Sequence, residues 1–139
     1  MIDLPFKMIP LDRWKVYKAL FPIGSDKEHR LIIMVNAETM EYLYITSKVE
    51  KVKLRARYDA ASVVELSTKD WPEELTKNCC IHCGKSGMQK IEKQQINELY
   101  NNGKFKIIGT LPEAIQTKVK YSICSSKTFS PAEKKFYTL

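Results

Sequence analysis

The sequence lacks the features of a membrane-spanning or exported protein. No run of 18 apolar residues occurs in its 139 residues, so no transmembrane helix is predicted. The first residues, MIDLPFKMIPLDRW, contain neither a long apolar region nor a small-residue cleavage site, so no signal peptide is predicted. We therefore expect no contact with a membrane, a cytoplasmic location and reduced thiols.

Cysteine and histidine are scarce, which limits the metal and redox sites that the chain could form. There are four cysteines and two histidines, and most of them fall in the stretch KNCCIHCGK (77–85). Cys80 and Cys83 have C-x-x-C spacing, but a structural zinc site needs four N or S ligands, usually from two such pairs. The chain has no second pair, and Gly84 stands where a c-type haem site would need histidine. We expect neither a metal nor a cofactor.

The same stretch predicts a buried strand. Side chains alternate between the two faces of a strand, so Cys80 and His82 would share one face and Cys79, Ile81 and Cys83 the other. Free cysteines behave as small buried hydrophobes, which makes a structural role the main interpretation. A zinc site and a reactive thiol are the alternatives.

The charge balance is basic. Lys and Arg number 23 against 16 Asp and Glu, which gives a net charge of +7 and a pI near 9.2. Hydrophobic residues at 44% and charged residues at 28% are typical of a globular protein, so we predict a single domain over residues 1–139. A basic surface of this size favours phosphate-bearing or acidic partners, with a merely solvated surface as the alternative.

Short apolar segments separated by polar turns dominate the first half. They predict strands over 14–20, 31–35, 41–47, 51–58 and 62–66, with a loop at 24–29 and turns at 36–40 and 59–61.

The segment KVKLRARY (51–58) alternates most regularly of all. As a strand it would carry four cations, Lys51, Lys53, Arg55 and Arg57, on one face over about 20 Å. Such a row suits the phosphate backbone of a single-stranded nucleic acid, with Tyr42, Tyr44 or Trp71 as stacking platforms for bases. An ordinary solvated strand face is the alternative.

The second half predicts helices. Residues 89–102 have a helical apolar pattern that ends at Gly103, and 104–109 form a short strand. Thr110 to Glu113 and Ser130 to Glu133 both have the form of a capping box, which predicts a helix after each. Many short strands followed by helices indicate an α+β fold, a small barrel or curled antiparallel sheet with helices packed on it.

This order of elements resembles the MazF/PemK/Kid family over roughly residues 11–125. The matching segments are WKVYKALFPI, KEHRLIIMV, the strand that ends in YITSK, SVVEL before the cysteine-rich stretch, and IIGTLPEAIQTKV. The resemblance implies an SH3-like barrel with C-terminal helices. It also implies a homodimeric toxin of a type II toxin–antitoxin pair, which cleaves single-stranded RNA without metal by attack of the 2′-hydroxyl.

The resemblance implies roles for three residues. Arg30 matches the basic residue that opens the second strand, and Thr46 and Ser47 match the Thr-Ser pair that ends the third. His29 is added from its chemistry, because imidazole is the side chain suited to proton transfer at neutral pH. The partners that the resemblance implies are single-stranded RNA and an acidic antitoxin peptide.

Two other functions remain open. The family's carboxylate would fall near Cys83, where no acid stands, and this favours a catalytically silent nucleic-acid-binding barrel. A protein-interaction module whose basic surface docks an acidic peptide is the other alternative.

Overall fold

The computed structural model describes residues 11–23 and 26–139, without the side chains of 21–29. Its strands are β1 (Lys15–Ile23), β2 (Asp26–Asn36), β3 (Glu41–Thr46), β4 (Val63–Leu66), β5 (Cys79–His82), β6 (Gln89–Lys90) and β7 (Phe105–Thr110). Its helices are α1 (Val49–Arg55), α2 (Lys93–Asn101), α3 (Glu113–Ser125) and α4 (Pro131–Thr138). Short 3-10 turns lie at Ala60–Ser62 and Lys85–Gly87.

The strands form one antiparallel sheet. Its order is β4-β5-β3-β2-β1-β7, and β6 pairs with one end of β3. Every pairing described is antiparallel, and β4 and β7 form the two ends of a sheet that is not closed. The α+β class and the antiparallel sheet are therefore confirmed, whereas the likeness to an SH3-like barrel stays a prediction.

Alternation along the strands gives the sheet two apolar faces. The first face packs against α3 and α4 in the larger core, which includes Ile33, Leu43, Ile81, Ile115 and Ile123. The opposite face packs against α2 in a smaller core, which includes Tyr17, Ile32, Met34, Ile96 and Phe105. Because neighbouring residues of β2 enter different cores, the sheet is a central layer with helices on both sides.

The predicted strand over 51–58 is wrong, because Val49–Arg55 is the helix α1. The alternating pattern also places Val52 and Ala56 four residues apart, and these two are buried. Leu54 and Tyr58, which a strand would have turned inward with them, are 66% and 81% exposed. Lys, Leu, Arg and Ala are strong helix formers, so the four-residue spacing of the buried pair and the local propensity agree on a helix.

Three further predictions are corrected. Residues 26–29 of the predicted loop belong to β2, where they pair with Leu20–Ile23, while 24 and 25 lie outside the described residues. Gln89 and Lys90 form β6 rather than the start of a helix, because they pair with Tyr42 and Glu41. Thr110 ends β7 and does not cap α3, which begins after Pro112 without a side-chain cap.

Other helix signals are confirmed. Ser130 accepts a hydrogen bond from the backbone N–H of Glu133, whose side chain accepts one from Ser130 N–H, so α4 begins with a capping box. Gly103 ends the region of α2 with a φ of 70°, the left-handed conformation that glycine adopts most easily. Within residues 11–23 and 26–139, no helix has the length and apolar character needed to cross a membrane.

Candidate nucleic-acid interface

A basic groove lies between α1 and the sheet. Its volume is about 320 Å³. The residues that line it are Arg30, Tyr44, Thr46, Lys48, Lys51, Val52, Arg55, His82, Ser86, Gly87 and Gln89. Four of them carry a positive charge and none is an acid, so the groove favours an anionic occupant.

The floor of the groove comes from three adjacent strands. Leu31 of β2 pairs with Ile45 of β3, which places the preceding Arg30 beside Thr46. Thr46 pairs in turn with Cys80 of β5, and His82 lies two residues further along the same face. Sheet register therefore brings Arg30, Thr46 and His82 together although they are distant in the sequence.

Helix α1 and the residue before it, Lys48, supply the basic wall. Lys48, Lys51 and Arg55 are spaced three and four residues apart, which puts them on one side of a helix. Val52 lies on the same side and is only 7% exposed, so it anchors this side of α1 against the sheet. The four predicted cations are thus divided, and only Lys51 and Arg55 line the groove.

Lys53 and Arg57 lie away from the groove. The ammonium group of Lys53 is 3.6 Å from the carboxylate of Glu65. The guanidinium of Arg57 donates a hydrogen bond to Leu54 O and lies 4.7 Å from the centroid of the exposed Tyr58 ring. Ser47 also lies elsewhere, in a shallow depression beside Cys79 and Asp70. A single row of four cations is therefore not formed.

Aromatic side chains support Arg30. Its guanidinium carbon lies 5.0 Å from the centroid of the Tyr44 ring, a cation–π distance, and the hydroxyl groups of Tyr44 and Tyr42 are 3.2 Å apart. Tyr44 lines the groove, as a stacking platform should. Tyr42 is only 5% exposed and Trp71 packs against the larger core, so neither of these two predicted platforms lines the groove.

Thr46 ends β3 at the bottom of the groove. Its hydroxyl oxygen accepts a hydrogen bond of 3.2 Å from the backbone N–H of Lys48. This bond fixes the oxygen and leaves the hydroxyl proton available to donate to an anion in the groove. The side chain is thus oriented by the turn that leads from β3 into α1.

The imidazole of His82 lines the groove. The sequence indicated His82 only as a strand residue beside buried cysteines, so its position in the groove was not predicted. Its ring lies against two glycines. A Cβ on Gly87 would be 2.8 Å from Cγ of His82 and only 2.1 Å from its carbonyl oxygen, so no side chain fits there. Burial lowers the pKa of His82, the negative charge of Asp59 raises it and Arg55 lowers it, and the net direction is downward.

The predicted proton carrier, His29, cannot be compared directly with His82. Its backbone lies in β2 opposite Leu20, but its side chain lies outside the described residues. The spacing of His82 and the two glycines, H-x-G-x-x-G, is the one local signal in the sequence that could have indicated a closely packed imidazole.

Three of the four cysteines, Cys79, Cys80 and Cys83, are buried, whereas Cys124 is exposed. Cys79, Ile81 and Cys83 enter the larger core, and Cys80 is buried on the opposite face, so the predicted division of β5 is confirmed. Burial raises the pKa of both Cys79 and Cys80 to about 11 and raises that of Cys83 further. These thiols are protonated at neutral pH, and nucleophilic chemistry needs the thiolate. In the part of the chain that is described, no three His, Cys, Asp or Glu side chains are grouped as metal ligands.

The arrangement suits the binding of a phosphodiester. Arg30 presents a fork of N–H donors and Thr46 a hydroxyl donor, and three further cations, Lys48, Lys51 and Arg55, line the rim. His82 adds an imidazole whose pKa is lowered by burial, so the ring is in the neutral form that can accept a proton. No protein-family model, no curated protein and no solved structure matches this chain.

Proposed function

We propose that the protein binds single-stranded RNA in the basic groove and cleaves it without a metal ion. The observation that carries the proposal is the convergence of Arg30, Thr46 and His82 on one groove whose rim is lined by Lys48, Lys51 and Arg55. Anion-binding groups and a titratable imidazole in one site are what phosphoryl transfer within RNA requires.

The reaction uses the nucleophile that RNA already contains. The 2′-hydroxyl attacks the adjacent phosphorus and gives its proton to the imidazole of His82. The bond from phosphorus to the 5′-oxygen breaks, and that oxygen takes a proton from water at the open side of the groove. The hydroxide that remains takes the proton from the imidazolium of His82, which restores the neutral ring and the water. The products are a 2′,3′-cyclic phosphate and a 5′-hydroxyl.

Each group has a defined part in this reaction. Arg30 forms two hydrogen bonds to the phosphoryl oxygens and stabilises the charge that develops on them. Thr46 donates a third hydrogen bond. The lowered pKa of His82 keeps its imidazole neutral at pH 7, which is the form that accepts a proton.

The cations of α1 hold the RNA on either side of the reacting phosphate. Lys48, Lys51 and Arg55 lie along one side of the helix, so they contact successive phosphates rather than a single one. Tyr44 offers its ring to a base next to the reacting phosphate, since every base has a face that stacks. In this proposal the chain is a homodimeric toxin with an SH3-like barrel.

An acidic peptide is the second candidate occupant. The groove residues include four cations and no acid, and this charge pattern suits an antitoxin tail as well as it suits a phosphate backbone. A peptide of this kind would compete with RNA for Lys48, Lys51 and Arg55, which gives a direct way to inhibit the enzyme.

The test is cleavage of a labelled single-stranded RNA in the presence of EDTA. We expect fragments that end in a 2′,3′-cyclic phosphate, identified by mass. The matched control is the same RNA with a single 2′-deoxynucleotide at the cleavage site, which should still bind but should not be cut there.

Three outcomes distinguish the candidates. Metal-free cleavage that needs the 2′-hydroxyl supports the proposal. RNA binding without cleavage of any RNA tested would contradict it in favour of a silent binding protein. Binding of a polyglutamate peptide with no measurable affinity for RNA would contradict it in favour of a protein-interaction module.

A further inference from the structure

A second polar cluster lies directly behind His82, outside the groove. Its centre is the carboxylate of Asp59, which is only 9% exposed. The hydroxyl of Ser126 donates to Oδ2 of Asp59 at 2.6 Å, and the backbone N–H of Lys127 donates to Oδ1 at 2.8 Å. Both carboxylate oxygens are thus held by the segment that connects α3 to α4.

This carboxylate lies close to the imidazole. A Cβ on Gly84 would be 3.0 Å from Nε2 of His82, 3.3 Å from Oδ2 of Asp59 and 3.2 Å from Oγ of Ser62. Nε2 and Oδ2 therefore border the same small space, which exists because residue 84 has no side chain. Gly87 also lies close to this histidine, since a Cβ there would be 2.8 Å from Cγ of His82.

Asp59 acts on His82 through its negative charge. Burial alone would raise the pKa of Asp59, but the hydrogen bonds from Ser126, Lys127 and Ser62 and the charge of His82 hold it below its usual range. The carboxylate is therefore negative at neutral pH. A fixed negative charge beside one ring nitrogen favours the tautomer that has its proton on that nitrogen.

We propose that Asp59 is a positioning residue for His82: held by Ser126 and Lys127, it orients the imidazole and selects the tautomer protonated on Nε2. The lone pair is then on Nδ1, the nitrogen that accepts the 2′-hydroxyl proton in the proposed reaction. This inference rests on the proposed function only for that last step. The orientation and the tautomer are properties of the protein without RNA.

The charges around the ring set its response to pH. Asp59 is the carboxylate that faces it, Arg55 faces it from α1, and Arg30, Lys48 and Lys51 line the same groove. Asp59 carries a negative charge, so it is the neighbour that favours the imidazolium. Its removal should lower the pKa of His82.

The experiment is a ¹⁵N NMR titration of the full-length protein, with His29→Gln used to assign the His82 signal. In the wild type we expect the neutral ring of His82 to have its proton on Nε2. In Asp59→Asn we expect a lower titration midpoint and a mixture of the two tautomers. An identical midpoint and an identical tautomer in Asp59→Asn would overturn the proposal.

Two further variants separate positioning from folding. Ser126→Ala removes one hydrogen bond to Asp59 but keeps its charge, so it should lower stability and disturb the tautomer of His82 less than Asp59→Asn does. A change of tautomer in Ser126→Ala as large as that in Asp59→Asn would overturn the proposal. If Asp59→Asn does not fold, Gly84→Ala provides the test. Its methyl group enters the space between Nε2 of His82 and Oδ2 of Asp59 and should change the tautomer of His82. An unchanged tautomer in Gly84→Ala would also overturn the proposal.

The RNA assay gives a separate readout. If RNA is cleaved, Asp59→Asn should lower kcat by about tenfold or more with KM unchanged, because positioning acts on the chemical step. If the protein cuts no RNA but His82 shows the expected tautomer and titration midpoint, the proposed function is contradicted and the positioning role of Asp59 is still supported.

Discussion

The guanidinium of Arg30 lies over the ring of Tyr44, with its central carbon 5.0 Å from the ring centroid. The two residues come from adjacent strands and both line the groove. The cation–π contact therefore orients the guanidinium inside the groove.

Replacing Tyr44 therefore tests how much this contact contributes. Tyr44→Phe keeps the ring and should retain RNA affinity within about twofold. Tyr44→Leu removes the cation–π contact, worth about 0.5–1 kcal/mol at a partly exposed site, and should weaken RNA binding roughly two- to fivefold. Fluorescence anisotropy with a labelled RNA measures both. Equal losses in the two variants would show that the hydroxyl matters and the ring does not.

Cleavage should depend on Arg30 far more than on His29. Removing a donor that stabilises the charge of a transition state typically costs about 10²–10³ in rate, so Arg30→Ala should leave almost no activity. His29→Ala should lower activity modestly. His82→Gln should cost about 10²–10⁴ if the imidazole is the general base. Single-turnover rates in EDTA measure all three, and full activity in Arg30→Ala would refute the mechanism.

The salt dependence of RNA binding should separate the two pairs of cations on the α1 segment. Each phosphate contact on a single strand contributes about −0.7 to the slope of log affinity against log salt. The double variant Lys51→Ala, Arg55→Ala should therefore reduce the slope by about 1.4.

The matched control is Lys53→Ala, Arg57→Ala, which removes the same charge from outside the groove. Its slope should stay close to that of the wild type. Equal slopes for the two double variants would show that RNA does not bind in the groove.

The thiols should differ sharply in reactivity. At pH 8 the raised pKa of about 11 leaves Cys79 and Cys80 almost fully protonated, and Cys83 more so, whereas Cys124 is exposed. Iodoacetamide should modify one thiol in the native protein and four in guanidinium chloride, as measured by mass spectrometry. Cys124→Ser should remove the native reaction, and rapid modification of β5 in that variant would contradict the structure.

The same thiols should make stability fall at high pH. Their pKa is raised on folding, so the unfolded chain releases its thiol protons first, near pH 8.5, and the folded chain only at higher pH. The free energy of unfolding should thus decrease as the pH rises from about 8.5 towards 11. Urea titrations across this range measure the decrease, and replacing Cys80 with Ala should reduce it.

The purified protein should contain no stoichiometric zinc. Cys80 and Cys83 have the right spacing in sequence, but in the described part of the chain no three His, Cys, Asp or Glu side chains are grouped as metal ligands, and a structural zinc site needs four ligands. Elemental analysis after dialysis gives the measurement. About one zinc per chain would contradict this prediction and would make Cys80 and Cys83 the first ligands to replace.

The sequence by itself determined the features that depend on neighbouring residues. The alternation in CCIH predicted which face each cysteine occupies, Ser130 and Glu133 predicted the start of α4, and Gly103 predicted the end of α2. These signals are local, since strand alternation, capping hydrogen bonds and the left-handed conformation of glycine each involve only a few adjacent residues.

Only the tertiary structure decided the form of residues 51–58 and the composition of the groove. The apolar residues of KVKLRARY fit both the two-residue repeat of a strand and the four-residue spacing of a helix. Val52 and Ala56 are buried beside β4 and β5, and this packing favours the helix. Arg30, Thr46 and His82 meet because the register of β2, β3 and β5 aligns them. Register depends on hydrogen bonds between strands far apart in the chain, and local sequence does not contain that information.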